Sequence, residues 1–141
     1  MTSRPLWQRP DTRLVLWTFL IAFFVVPWMD LQNHPHWMKV QWIPFVTPPV
    51  KVIDIVINVL LYWPFGYWFG KQAGDAHAWR RACLYALALS LATEWTQLYS
   101  HSRFPSLTDT TCNLIGTALG ALAAARGLTR VTRVPVEGGV S

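Results

Sequence analysis

Glu94 and Gln97, three residues apart, are followed past a short turn by Arg103, Asp109 and Asn113. These residue types could bind or transform a polar ligand. Arg103 offers a planar fork that bonds a phosphate or carboxylate through two parallel hydrogen bonds. Gln97 and Asn113, with Asn58 further upstream, could orient sugar or peptide groups. Glu94 could act as a general acid or base if burial tuned its proton affinity to the working pH. What makes the set unusual is its setting. Glu94 lies inside an apolar run, residues 82–99, and Asn113 inside another, residues 110–125. A charged side chain at the centre of a membrane-length helix costs about 2.5–3.5 kcal/mol on insertion scales, so it normally faces protein or a watery cavity. The competing reading is that these groups only hold helices together. Interhelical polar contacts average about 0.6 kcal/mol, less than an embedded Glu94 or Asp54 costs unless each is paired or hydrated.

The elements that must carry these residues follow from composition. The chain has 141 residues, 52% hydrophobic and 13% charged, against about 25% charged in a soluble domain. Four apolar segments, residues 14–28, 51–69, 82–99 and 108–125, predict an all-α protein, an integral membrane four-helix bundle. Residues 1–13 read as an N-terminal arm, 14–125 as the bundle and 126–141 as a disordered tail. A signal peptide is the rival reading of the first segment, but Pro27-Trp28-Met29-Asp30 offers no small-residue cleavage site. Residues 30–50, rich in Trp and Pro, suit an interfacial link, with His34 and His36 as solvated loop histidines. Residues 71–81 read as a polar loop, and Pro64 should kink the second helix. Nine basic residues (Arg4, Arg9, Arg13, Lys71, Arg80, Arg81, Arg126, Arg130, Arg133) fall on one side and three (Lys39, Lys51, Arg103) on the other. The positive-inside rule then predicts both termini in the cytoplasm.

With that topology the embedded polar residues converge. At 1.5 Å per residue, Asp54, Asn58, Glu94 and Asn113 lie roughly 6, 12, 9 and 7 Å below the outer boundary. Ser90, Glu94, Gln97 and His101 share one helix face, Asp109, Asn113, Gly116 and Gly120 another, and Asp54 and Asn58 a third. Gly116 and Gly120 form a small-residue packing surface. Three such stripes predict one pocket opening outward. Cys83 and Cys112 fall near opposite faces and should stay free thiols. No metal-ligand spacing is present and no cofactor is expected. The net charge of +5 sits in short groups at segment ends, which argues against nucleic-acid binding.

Asn58, Pro64-Phe65-Gly66, Glu94-x-x-Gln97, Arg103, Asp109, Asn113 and Gly116-x-x-x-Gly120, in that order over residues 40–125, resemble the VanZ-like family of small membrane proteins. That family is named for a protein associated with resistance to the glycopeptide teicoplanin. The resemblance implies a multi-pass protein of the bacterial cytoplasmic (inner) membrane with an outward-facing polar cluster; it implies no particular reaction. Ser102-Arg103-Phe104-Pro105-Ser106 departs from the more polar link that often follows the Arg. The expected function is binding, or acting on, an anionic lipid or a lipid-linked cell-envelope precursor, with a possible tie to glycopeptide tolerance. The ligand set would be Asp54, Asn58, Gln97, Arg103, Asp109 and Asn113. A membrane enzyme using Glu94, a structural or partner-binding protein and a small proton-coupled carrier are the alternatives. Oligomeric state is left open.

Overall fold

The apolar runs fold as helices whose ends are set by local chemistry. The computed structural model describes residues 10–46, 51–73, 75 and 77–131. Within them lie α1 (Pro10–Val25), a 3-10 turn (Trp37–Lys39), α2 (Val52–Ala73), α3 (Ala78–Gln97) and α4 (Leu107–Val131). No strand occurs among the described residues, only two isolated bridges, Leu31 with Ser100 and Gln41 with Ser106. α1 stops just before Pro27, whose ring disfavours helical backbone in the residue ahead of it. α4 starts at a cap: Ser106 Oγ accepts the Thr108 N–H at 3.2 Å, satisfying one of the orphan donors of the first turn.

The helices outrun the apolar segments. Residues 10–13, read as arm, are helical, and so are residues 126–131, read as tail. The polar loop expected over residues 71–81 is cut back from both sides, because α2 runs on to Ala73 and α3 begins at Ala78. Lys, Arg and Gln are good helix formers, so Lys71, Gln72, Arg80 and Arg81 extend helices that hydropathy alone would end. Asp75 braces the short connection: its carboxylate accepts the His77 N–H at 2.8 Å and pairs with Arg81. Arg4, Arg9 and Arg133 lie outside the described residues.

α2 and α4 meet backbone on backbone. A Cβ on Gly66 would land on the Thr117 carbonyl, one on Gly116 on the Val59 carbonyl, and one on Gly120 on the Trp63 carbonyl. Ala121 and Ala124 meet Gly70 further along the same seam. α3 packs on α4, while α1 leans chiefly on α2. There Trp17 Nε1 donates to the Leu61 carbonyl at 2.6 Å, one residue from the carbonyl that Pro64, which has no N–H, leaves without its usual partner. α2 continues helically through that proline.

The distribution of side chains is inverted relative to a water-soluble bundle. Ser90, Thr93, Glu94, Gln97, Thr110, Asn113 and Thr117 are buried. Phe19, Phe23 and Phe24 on α1, Val52, Ile53 and Leu60 on α2, Leu84 and Trp95 on α3, and Ile115 and Leu119 on α4 face outward. α2 is the one helix among the described residues long and apolar enough to cross a membrane, and only 17% of its most apolar stretch is buried. Cys83 and Cys112 are free thiols.

Candidate functional site

The site is built where α3 hands over to α4. Pro105 breaks the chain, Ser106 caps α4, and Asp109 stands three residues on, the position from which an acidic side chain ordinarily reaches back to the cap's N–H. Here Glu94 does that work instead. Its Oε2 accepts the Ser106 N–H at 2.7 Å from across the turn, which leaves Asp109 free to turn elsewhere. The loop before α2 closes over the same corner. Gln41 N–H donates to the Pro105 carbonyl at 2.9 Å, and its own carbonyl accepts the Leu107 N–H at 3.1 Å. Phe45, which adopts a positive φ of 61° that bulky residues avoid, is held by donating its N–H to Thr108 Oγ1 at 2.9 Å.

Between this corner and α2 opens a cavity of about 390 Å³ lined by Gln41, Lys51, Asp54, Asn58, Gln97, Ser102, Arg103, Phe104, Ser106, Thr108 and Asp109, with Ile57 at its wall. Asp109 stands beside Asn58, Asp54 and Arg103. Two cations and two carboxylates thus share the space, yet none of the four is in an ion pair within 4.0 Å among the described residues; the ion pair found there joins Arg81 and Asp75 at the opposite end. Gln97 is buried at the cavity wall, its Nε2 reaching the Val25 carbonyl at 3.5 Å. A larger cavity of about 580 Å³ between α1, α2 and α3 is walled mostly by Leu14, Phe65, Phe69, Tyr85 and Leu89. Thr18, Gln72 and Arg81 also border it, but Arg81 is paired with Asp75 and most of the lining is apolar.

A model of the VanZ/LLP1 family matches residues 12–129, all four helices and the loops that form the corner. The chain belongs to the VanZ/LLP1 family. No curated protein and no solved structure matches it. Family and apolar α2 together point to a membrane protein.

Two of the polar residues singled out from the sequence of this VanZ/LLP1 protein stand back from the cavity. Glu94 lies behind the turn, bonded to Ser106, and borders a separate, largely apolar hollow of about 230 Å³ with Trp37, Trp42 and Trp95. Asn113 is one layer deeper: its Nδ2 donates to Ser90 Oγ at 2.9 Å, and Ser90 Oγ donates in turn to Thr110 Oγ1 at 3.3 Å. Asn113 Oδ1 and the nearby Tyr62 hydroxyl are buried without a hydrogen-bond partner among the described residues. Gly116 and Gly120 sit in the seam, where each faces a backbone carbonyl of α2.

Sequence reasoning missed Asp30 and the histidines of the same end. One Asp30 carboxylate oxygen accepts Ser100 Oγ–H at 2.8 Å and the His101 and Ser102 N–H groups at 3.0 and 2.7 Å. Those bonds, the Ser102 contact first, lower its pKa from 3.8 to about 2. Asp30 thereby fixes the turn that carries Ser102 and Arg103 into the cavity. His34 and His36 of the loop come within ring contact of His101. The only sequence signals were an Asp just past the first apolar run and a His-x-His pair, and neither names its partner.

Proposed function

We propose that this VanZ/LLP1 protein is a multi-pass protein of the bacterial cytoplasmic membrane, with both termini cytoplasmic, whose outer cavity binds the anionic head group of a lipid or lipid-linked envelope precursor. Helix lengths favour it. At 1.5 Å per residue, the 22 residues of α2, 20 of α3 and 25 of α4 span roughly 33, 30 and 37 Å, against a hydrocarbon core of about 30 Å. Their outward apolar faces suit lipid, and the nine-to-three split of basic residues favours a cytoplasmic 74–77 connection.

One observation carries the binding reading: Arg103 and Lys51 line a cavity without an ion-pair partner among the described residues. Arg103 supplies the two-pronged bond to a phosphate, and Lys51 adds a point charge. Asp109 is an acceptor, so it selects a head group that also carries hydroxyl or amino donors, while the exposed Asp54 opposes the anion's charge. Asn58 and Gln97 orient it. Glu94 is committed to the Ser106 N–H, which favours binding over acid–base chemistry. A role in glycopeptide tolerance would follow if the ligand is a cell-wall precursor.

The test is native mass spectrometry of the detergent-purified protein with phosphatidylglycerol or phosphatidylcholine. Phosphatidylglycerol should be retained preferentially, and Arg103→Lys should weaken its retention at least tenfold, because Lys keeps the charge but not the fork. Equal retention of both lipids, or full retention in Arg103→Lys, removes the head-group site. Orientation is tested by thiol labelling of intact cells in a Cys83→Ser, Cys112→Ser background. Met38→Cys should label from outside and Asp75→Cys should not; the reverse pattern would turn the cavity to the cytoplasm.

A further inference from the structure

Three of the chain's four histidines meet at one point. His34 and His36 come from the loop after α1, and His101 from the turn after α3. One ring nitrogen of each lies within 4.8 Å of the others, with ring centroids 4.6–5.8 Å apart. Residues some 65 positions apart in sequence do not converge by chance of the local chain. The two segments are laced together by the Leu31–Ser100 bridge, by Gln32 N–H donating to the Tyr99 carbonyl at 2.7 Å and His36 N–H to the Leu98 carbonyl at 2.7 Å, and by the three bonds into Asp30.

We propose that His34, His36 and His101 form a binding site for a divalent transition-metal ion of the zinc class. Its position is separate from the cavity lining, and it stands independently of the head-group reading. The ligand chemistry selects the ion: three imidazoles and no carboxylate suit zinc, copper or nickel, whereas calcium and magnesium demand oxygen. His36 already makes a contact that frees one ring nitrogen for a metal. Its Nδ1 lies 3.2 Å from the Leu98 carbonyl; a carbonyl only accepts, so in the neutral ring that contact places the proton on Nδ1 and leaves Nε2 to bind a metal. A backbone carbonyl on the far nitrogen is the ordinary second contact of a metal-bound histidine. Zinc–nitrogen bonds of about 2.0–2.1 Å at tetrahedral angles put ligand nitrogens roughly 3.3–3.4 Å apart. His34 and His101 are exposed, so their rings can rotate inward over that remaining distance. Three protein ligands leave a fourth position open to water or to an anionic ligand. The bound ion would tie the loop after α1 to the turn carrying Ser102 and Arg103.

The experiment is zinc titration of the full-length protein, stripped with chelator and held in detergent, by isothermal calorimetry, with cobalt absorption as a spectroscopic check on coordination. One equivalent of zinc is expected. His36→Ala and His101→Ala should each weaken binding by at least the roughly 10–100-fold that even outer contacts of metal sites carry. His77→Ala, at the start of α3 at the other end of the bundle, should bind as the parent does. A second measurement needs no variant: zinc should protect His34, His36 and His101, but not His77, from carbethoxylation by diethyl pyrocarbonate, read by mass spectrometry. Absence of stoichiometric binding, undiminished binding in His101→Ala, or zinc-independent modification of the three histidines overturns the site.

Discussion

The polar network around Ser90 and Asn113 and the cavity around Arg103 lie in adjacent layers of one bundle and draw on similar side chains. In the first, hydroxyls and an amide hydrogen-bond to one another between α3 and α4, directly beside the seam where Gly116 brings α4 onto α2. In the second, Lys51, Asp54, Arg103 and Asp109 share open space without pairing among the described residues. The lower layer has used its polarity to join helices, and the upper layer has kept it available. Polar residues in an apolar chain are therefore not one category. Whether each faces a partner or a cavity decides whether it stabilises or binds.

The largest effect should come from breaking the closed layer at its seam. Gly120→Val puts a branched side chain onto the Trp63 carbonyl and a Cβ 2.7 Å from the Tyr67 nitrogen. Overpacking typically costs about 1–3 kcal/mol, and more where the obstacle is backbone. Folded protein should fall severalfold, measured as the monodisperse peak in detergent size-exclusion chromatography. Gly127→Val is the control, because its Cβ would meet only the Lys71 Nζ at 3.5 Å. Next comes Asn113→Ala, which removes the donor to Ser90 and should cost about 1–3 kcal/mol. Thermal unfolding should register that loss, while lipid retention per folded molecule stays unchanged. Retention lost without any loss of stability would move Asn113 into the binding layer.

The open layer should behave in the opposite sense. Asp54 is exposed and competes electrostatically with an anion for Lys51 and Arg103. Asp54→Asn should leave stability within about 0.5 kcal/mol. It should tighten phosphatidylglycerol retention about two- to fivefold at low salt, the size of an exposed charge interaction of up to about 1 kcal/mol, and the gain should fade as salt screens it. Weaker retention in Asp54→Asn would mean that this carboxylate binds the ligand rather than opposing it.

Periodicity made the helices legible, but a shared stripe does not say which of its residues reach the cavity: Asp109 lines it, while Asn113, one turn on, bonds Ser90. Hydropathy misjudged the helix ends, since it stops where apolar residues stop, whereas Lys71, Arg80 and Arg81 still favour helix. The role of Glu94 was beyond spacing. Its choice of the Ser106 N–H over the cavity depends on how the 98–106 turn closes, and no periodicity describes a turn. The histidine cluster was hidden for the same reason: two loops distant in sequence meet through backbone bonds and through an Asp30 carboxylate whose partners no spacing names.

The smallest effect concerns the turn that carries Arg103 to the open layer, and it is read by titration. The Asp30 pKa, lowered from 3.8 to about 2 by Ser102, Ser100 and the turn's N–H groups, means that the ionised carboxylate favours the folded turn. A carboxylate with a depressed folded pKa contributes stability that is complete above its unfolded pKa and is lost as pH falls through the folded value. In wild-type protein kept metal-free with chelator, hydrogen exchange at His101 and Ser102 should therefore be slow and flat above about pH 5. Protection should decline from there towards pH 2. Asp30→Asn should lack that acid dependence and show fast exchange throughout, with the two proteins converging near pH 2. Such a loss would stay local, because α2, α3 and α4 do not depend on Asp30 for their packing. An acid transition shared equally by Asp30→Asn would assign the turn's stability to other groups and detach Asp30 from the positioning of Arg103.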